Sequence, residues 1–213
     1  MDKHLLNIEK IKQDQMINAF HDHNMEIYFL TNEQELHNYL KTVLKDNKTI
    51  AVGGSMTLFE TGVIDLIRNS NVIFHDRYQE GLSREQMQDT FRKAFTSDIF
   101  ITSSNAITKD GCLYNIDGNG NRVAAMIYGP KEVIVVVGKN KIFTTEQEAI
   151  DHIKTVAAPA NAVRLHKNTP CTKTGTCMNC KSSDRICCSY VKLGYQQNID
   201  RIKVIVLNKE FGY

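Results

Sequence analysis

Five of the six cysteines fall within one short stretch, Cys171-Thr-Lys-Thr-Gly-Thr-Cys177-Met-Asn-Cys180-Lys-Ser-Ser-Asp-Arg-Ile-Cys187-Cys188. Core packing does not call for that density, whereas a metal does. Cys171, Cys177, Cys180 and Cys187 supply four thiolates, the set taken by a tetrahedral zinc or by an iron–sulfur cluster of the 4Fe–4S type. The Cys177-x-x-Cys180 pair can fold both sulfurs towards one centre. Cys187 is assigned as the fourth ligand and Cys188 as a bystander, because neighbouring side chains in an extended stretch point apart. Spacing alone does not separate iron–sulfur from zinc. Free thiols, or a redox dithiol at Cys177 and Cys180 that senses oxidation, are the alternatives without metal. Cys112 stands alone and reads as a buried structural thiol.

A second element is Gly53-Gly54-Ser55-Met56-Thr57, a glycine turn from a strand into a helix. Free N–H groups at a helix start favour a phosphate or carboxylate, and glycine lets a ligand approach the backbone. Neither the Walker loop nor the dinucleotide fingerprint is present, and a tight structural turn reads equally well. The third element runs from Thr102-Ser-Ser104-Asn105 through Asp110 to Asn115-Ile-Asp117-Gly-Asn-Gly-Asn-Arg122, polar residues at the carboxyl end of a strand, where open α/β sheets place ligands. Asp117, Asn119 and Asn121 imitate the start of a calcium loop, but Arg122 stands where that loop requires glycine. His75-Asp76-Arg77 would supply an acid, a base or an anion clamp, or simply a solvated loop. No Ser/His/Asp set is evident.

These residues need a scaffold, and the chain alternates accordingly. Residues 1–24 predict an amphipathic helical arm, with Leu5, Ile8, Ile11, Ile17 and Phe20 on its apolar stripe. Strands are expected at Glu26–Leu30, Thr49–Val52, Asn71–Phe74 and Asp98–Thr102. Helices are expected over Thr31–Lys45, Met56–Arg68 and Ser83–Thr96, with capping boxes at Thr31/Gln34 and Ser83/Gln86. Three strand-like runs then follow, around Leu113-Tyr114, over Val123–Tyr128 and over Val133–Val137, and read as a hairpin attached to the sheet. A helix capped by Thr145 and Glu148 runs to Val156, and Ile202–Leu207 closes the chain as a strand. The fold class is therefore α/β, a mostly parallel sheet with crossover helices plus a β-hairpin. The organisation expected is an arm over 1–24, an α/β domain over 25–165 and 200–213, and a cysteine-rich metal-binding segment over 166–199.

Lys and Arg number 26 against 24 Asp and Glu, a balance unlike that of a dedicated nucleic-acid binder. No apolar run reaches membrane-spanning length and no export signal is evident, so a cytoplasmic protein is expected, in a compartment where clustered cysteines bind metal more often than they pair.

Together these elements resemble the lactate-utilisation (LUD) domain family. The resemblance is carried by Gly53-Gly-Ser-Met-Thr57, by Ser97–Gly111 and Leu113–Val123, by Gly129-Pro-Lys-Glu-Val-Ile-Val-Val-Val-Gly-Lys-Asn-Lys141, by Ala158-Pro-Ala-Asn-Ala162 and by the cysteine motifs that follow Thr169-Pro. It implies a fold like the phosphosugar-isomerase and CoA-transferase group (NagB/RpiA-like). It also implies a place in lactate-type organic acid metabolism beside iron–sulfur proteins, as an oxidoreductase subunit with redox partners. The cysteine tail sets this chain apart from the smaller subunit of such systems and resembles a stand-alone branch. Mapped by resemblance, Gly53, Gly54, Ser55 and Thr57 form one wall of a pocket for a small anionic metabolite, with Ser104, Asn105, Asp110, Asn115 and Asp117 opposite. The competing expectation is a transferase or isomerase that binds a phosphorylated or CoA-linked molecule and carries a structural zinc.

Overall fold

The computed structural model describes residues 2–213. Helix α1 (Lys3–Asp22) is capped by Asp2, and its last turns bury Met16 and Phe20 in the core while its first half is exposed. Strand β1 (Glu26–Leu30), helix α2 (Glu33–Val43) and strand β2 (Thr49–Val52) follow. The α2 cap is Asn32, not Thr31: the Asn32 side chain accepts from Glu35 N, and Glu35 reaches back to Thr31 N. The helix expected over Met56–Arg68 is two, α3 (Met56–Glu60) and α4 (Val63–Arg68), because Gly62 adopts φ +70° between them. Strand β3 (Ile73–His75) and α5 (Arg84–Lys93), with its Ser83/Gln86 capping box, lead to β4 (Ile99–Thr102).

From there the expected order needs correction. The hairpin is β5 (Ala106–Thr108) with β6 (Leu113–Asp117), and residues 123–128 are not a strand: 123–127 belong to α6 (Asn121–Ile127), and Tyr128 is its C-cap. Gly120, at φ +77°, starts that helix, and Val123, Ala125 and Met126 fall on its buried face. Ala and Met favour helix, which decides a short apolar run that periodicity leaves ambiguous. Strands β7 (Glu132–Gly138) and β8 (Ile142–Phe143) precede α7 (Glu146–His152), a π-helical turn at Ile153–Ala157, and α8 (Ala158–Arg164). The short α9 (Cys171–Thr174), β9 (Ser189–Leu193) and β10 (Ile202–Leu207) complete the chain.

Six parallel strands form the main sheet in the order β1-β10-β7-β4-β2-β3. Alternate residues serve opposite faces: Val133, Val135 and Val137 join Phe20, Phe100 and Met126, while Ile134 and Val136 join Leu36, Leu58, Ile64 and Ile101. A parallel sheet covered on both faces requires this uniformly apolar pattern. The smaller sheet, β8-β5-β6-β9, turns Ile107 and Leu113 to the first of these cores and Ala106, Tyr114 and Ile116 to α7 and α8. Chain order reverses direction between β2 and β4, so the carboxyl ends of those strands open the crevice in which α/β sheets bind ligands.

Candidate functional site: a cationic crevice with a four-cysteine rim

The glycine turn follows β2, and close packing sets its sequence. A Cβ on Gly53 would stand 2.2 Å from Thr102 Oγ1 and 3.1 Å from Arg122 Cδ, so the ends of β2 and β4 meet only if residue 53 is glycine. Gly54 and Ser55 reach the crevice itself, where the Arg77 guanidinium lies against Gly54. Arg77 is carried in by the loop after β3. It rests 4.6 Å over the Phe91 ring, and among the described residues its Nε has no partner and no carboxylate pairs with it. Burial depresses its proton affinity, so an anion is the complement this side chain lacks.

Arg122 enters from the first turn of α6 and is buried. It donates to Ser103 O, to Ile116 O and to the Oδ1 atoms of Asn105 and Asn115, with Asp117 Oδ2 3.3 Å from its Nε. Asn105, Asn115 and Asp117 thus hold a cation in place, and Ser104 supports Asn115 with a hydroxyl at 3.3 Å. Asp110 lies elsewhere: it accepts from Thr108 in the exposed turn of the β5–β6 hairpin, at the end remote from the crevice. Gly53, Thr57 and Asn115 stand behind the lining, whereas Gly54, Ser55, Ser104, Asn105 and Asp117 form part of it.

Lys141, three residues beyond β7, is the residue that sequence reasoning missed with most consequence. Its ammonium is 3 % exposed and donates to Thr57 Oγ1 at 2.9 Å and Ser103 Oγ at 3.2 Å, with no carboxylate in contact. Burial, helped by the nearby Arg122 charge and opposed by Glu60, lowers its pKa from 10.5 to about 7. Arg164 from α8 and Arg84, Lys167 and Arg185 complete a lining of seven cationic side chains against two carboxylates around a space of about 610 Å³. The available sequence signal was position, since Arg77 and Lys141, like Gly54 and Asn105, follow the carboxyl ends of parallel strands.

The cysteine segment forms the rim. Cys171, Cys177, Cys180 and Cys187 line one small cavity, while Cys188 is exposed on the crevice side and Cys112 is buried beneath the smaller sheet. Asn179, at φ +47°, folds its N–H onto Cys177 Sγ at 3.4 Å, and Thr169 Oγ1 lies 3.2 Å from Cys171 Sγ. Arg185 fastens the loops by donating to Cys180 O and Cys187 O. Burial and the three facing thiols push the Cys187 pKa up to about 11, so the set calls for a cation to hold it as thiolates. Among the described residues no three thiols, imidazoles or carboxylates stand ready to hold an ion, and the cavity that the four cysteines help to line is about 10 Å³. The π-helical turn joins this rim to the crevice: Ala158 N bonds to Ile153 O, which frees Lys154 O to accept Cys177 N–H at 2.9 Å.

The family model described as the LUD domain matches residues 13–207. A comparison with curated proteins finds no match. Among solved structures, a DUF162 family protein from Deinococcus radiodurans is similar in fold, with a TM-score of 0.52 at 15% identity over 93% of this chain and 97% of that one. Ribose 5-phosphate isomerase A from Methanocaldococcus jannaschii aligns at a TM-score of 0.36 and 18% identity over 62% of each chain. The same enzyme from Neisseria gonorrhoeae aligns at 0.32 and 10% identity over 56% of this chain and 57% of that one. No helix among the described residues is long and apolar enough to cross a membrane.

Proposed function

The chain belongs to the LUD-domain family, and from that premise we propose that it is a redox protein or subunit of small organic acid metabolism. In this reading the cationic crevice holds a small anionic metabolite of the lactate type. The four thiols of Cys171, Cys177, Cys180 and Cys187 hold an iron–sulfur cluster of the 4Fe–4S type, in a compartment that keeps them reduced, such as the cytoplasm. The observation that carries this reading is contiguity: Cys187 lines both the four-thiol cavity and the crevice. Bound there, a cluster supplies one-electron transfer, tuned by burial and by hydrogen bonds to sulfur. The chain's own part is to neutralise the anion with Arg77 and Arg164 and to fix the thiol loops through Arg185.

A second reading, a transferase or isomerase acting on a phosphorylated or CoA-linked molecule with a structural zinc, is favoured by two observations. The cavity that the four cysteines help to line has room for about one water-sized atom, and Lys141 has the proton affinity of a neutral-pH acid or base. Anaerobic purification followed by iron, acid-labile sulfide and zinc assays separates the two. Iron and sulfide in equal amounts support the redox reading, and a colourless protein with stoichiometric zinc refutes it in favour of the second.

A further inference from the structure

We propose that Lys141 is a nucleophilic amine that captures the carbonyl carbon of a small anionic carbonyl compound as an imine. The inference rests on the crevice being an anion site, and goes beyond it in naming a carbonyl as the ligand's reacting group. It begins with the protons on the hydroxyls beside Lys141. Thr57 Oγ1 donates its own proton to Phe211 O at 3.2 Å, and Ser103 Oγ donates to Ser104 O at 3.2 Å. Both oxygens therefore accept from Lys141, at 2.9 and 3.2 Å. A neutral amine has two protons to give and gives both, so its lone pair occupies the one remaining tetrahedral position. Among the described residues no third partner bonds to Nζ, and Lys141 is part of the crevice lining.

The charges support the same assignment. The lowered pKa leaves about half of this amine unprotonated at neutral pH, against about one part in several thousand for an ordinary lysine. Arg77 and Arg164 lie in the same lining and would take the anionic group of the ligand. In the reaction the lone pair forms a C–N bond as the carbonyl π pair moves to oxygen. The nitrogen then loses a proton, the oxygen takes up protons from solvent and leaves as water, and the C=N bond closes. The net change is amine plus carbonyl plus one proton giving an iminium and water, with no oxidant or reductant consumed. A carboxylate beside the carbonyl (a 2-oxo acid) and a phosphate (a phosphorylated ketone) share this chemistry.

The test is reductive trapping on the full chain at neutral pH, with sodium cyanoborohydride and either pyruvate or dihydroxyacetone phosphate as the probe, read by peptide mass spectrometry. The expected result is a reduced adduct on Lys141 with at least one probe, on the order of a thousandfold more readily than on exposed lysines such as Lys139 if free amine sets the rate. The probe that labels identifies the anionic group. Lys141→Arg, which keeps a cation but no nucleophile, should lose the adduct. Absence of label on Lys141 with both probes, or equal label across exposed lysines, overturns the proposal. Calorimetric titration with inorganic phosphate and with lactate runs alongside: anion binding without label refutes the imine alone, and loss of both refutes the anion-site reading as well.

Discussion

Replacing Lys141 by Met should stabilise the protein at neutral pH, by an amount that shrinks as the pH rises. In the unfolded chain the amine holds its proton to about pH 10.5, whereas in the fold it releases it at about 7. Between those values the unfolded state binds more protons, so the wild type gains stability with rising pH at about 1.4 kcal/mol per pH unit. Below pH 7 both states are protonated and the full cost of burying the charge is present, roughly 4–5 kcal/mol. Methionine removes that cost and forfeits two hydrogen bonds to hydroxyls that still donate elsewhere, an offset of about 1–2 kcal/mol. The variant should therefore be more stable by about 3 kcal/mol at pH 7 and near parity by pH 10. Urea unfolding of both proteins across this range measures the difference, in which the titrations they share cancel. His152, whose pKa burial and the Lys141 charge both lower from 6.5, titrates below the range. A stability difference that stays constant from pH 7 to 10 would refute the account of a desolvated, unpaired ammonium.

Three further outcomes follow from the geometry. Arg77→Met should weaken phosphate or carboxylate binding roughly ten- to hundredfold by calorimetry, the loss of one charged hydrogen-bond donor, while changing stability little because no protein carboxylate depends on it. Serine at Cys171, Cys177, Cys180 or Cys187 should lower metal content, whereas Cys188→Ser and Cys112→Ser should retain it by elemental analysis; metal loss on changing Cys188 would overturn the ligand assignment. Gly53→Ala should cost about 1–3 kcal/mol by thermal unfolding, since the new methyl meets Thr102 Oγ1 at 2.2 Å and the strand ends must separate.

How far the sequence could be read depended on whether the signal was local. β1, β2 and β10 fall where the apolar, β-branched runs between turns place them, and the capping boxes at Ser83/Gln86 and Thr145/Glu148 form as their spacing predicts. The α2 start slipped because two overlapping frames, Thr31/Gln34 and Asn32/Glu35, both satisfy the cap pattern, and the structure uses the second. The strand expected over Val123–Tyr128 proved helical because its three buried apolar positions, Val123, Ala125 and Met126, suit a strand as well as a helix until Gly120 and the Arg122 network are in place. Strand β9 escaped notice because its residues alternate between exposed and covered next to the cysteines, with β6 as its only strand partner. The glycine turn and Asn105 were legible because they sit in recognisable motifs. Arg77 was legible only as one option for an anion clamp in the His75-Asp76-Arg77 loop, and Arg122, Lys141 and Arg164 had no signal as a group, because each is a lone cation on a different element and only the sheet topology brings them to one crevice.

The π-helical turn carries one residue more than an α-helix needs over the same rise, and that surplus sets the angular phase of everything after it. Removing one residue from 153–157 would let the helix close its ordinary ladder and rotate α8 by about 100° about its axis. Arg164 and Asn161 would swing out of the crevice, while Ala158 N would keep Ile153 O as an ordinary acceptor and Lys154 O, facing Pro159, would stay free for the Cys177 amide. A single codon thus sets whether Arg164 and Asn161 face the crevice at all, while the tie between the helix and the thiol loop stays in place.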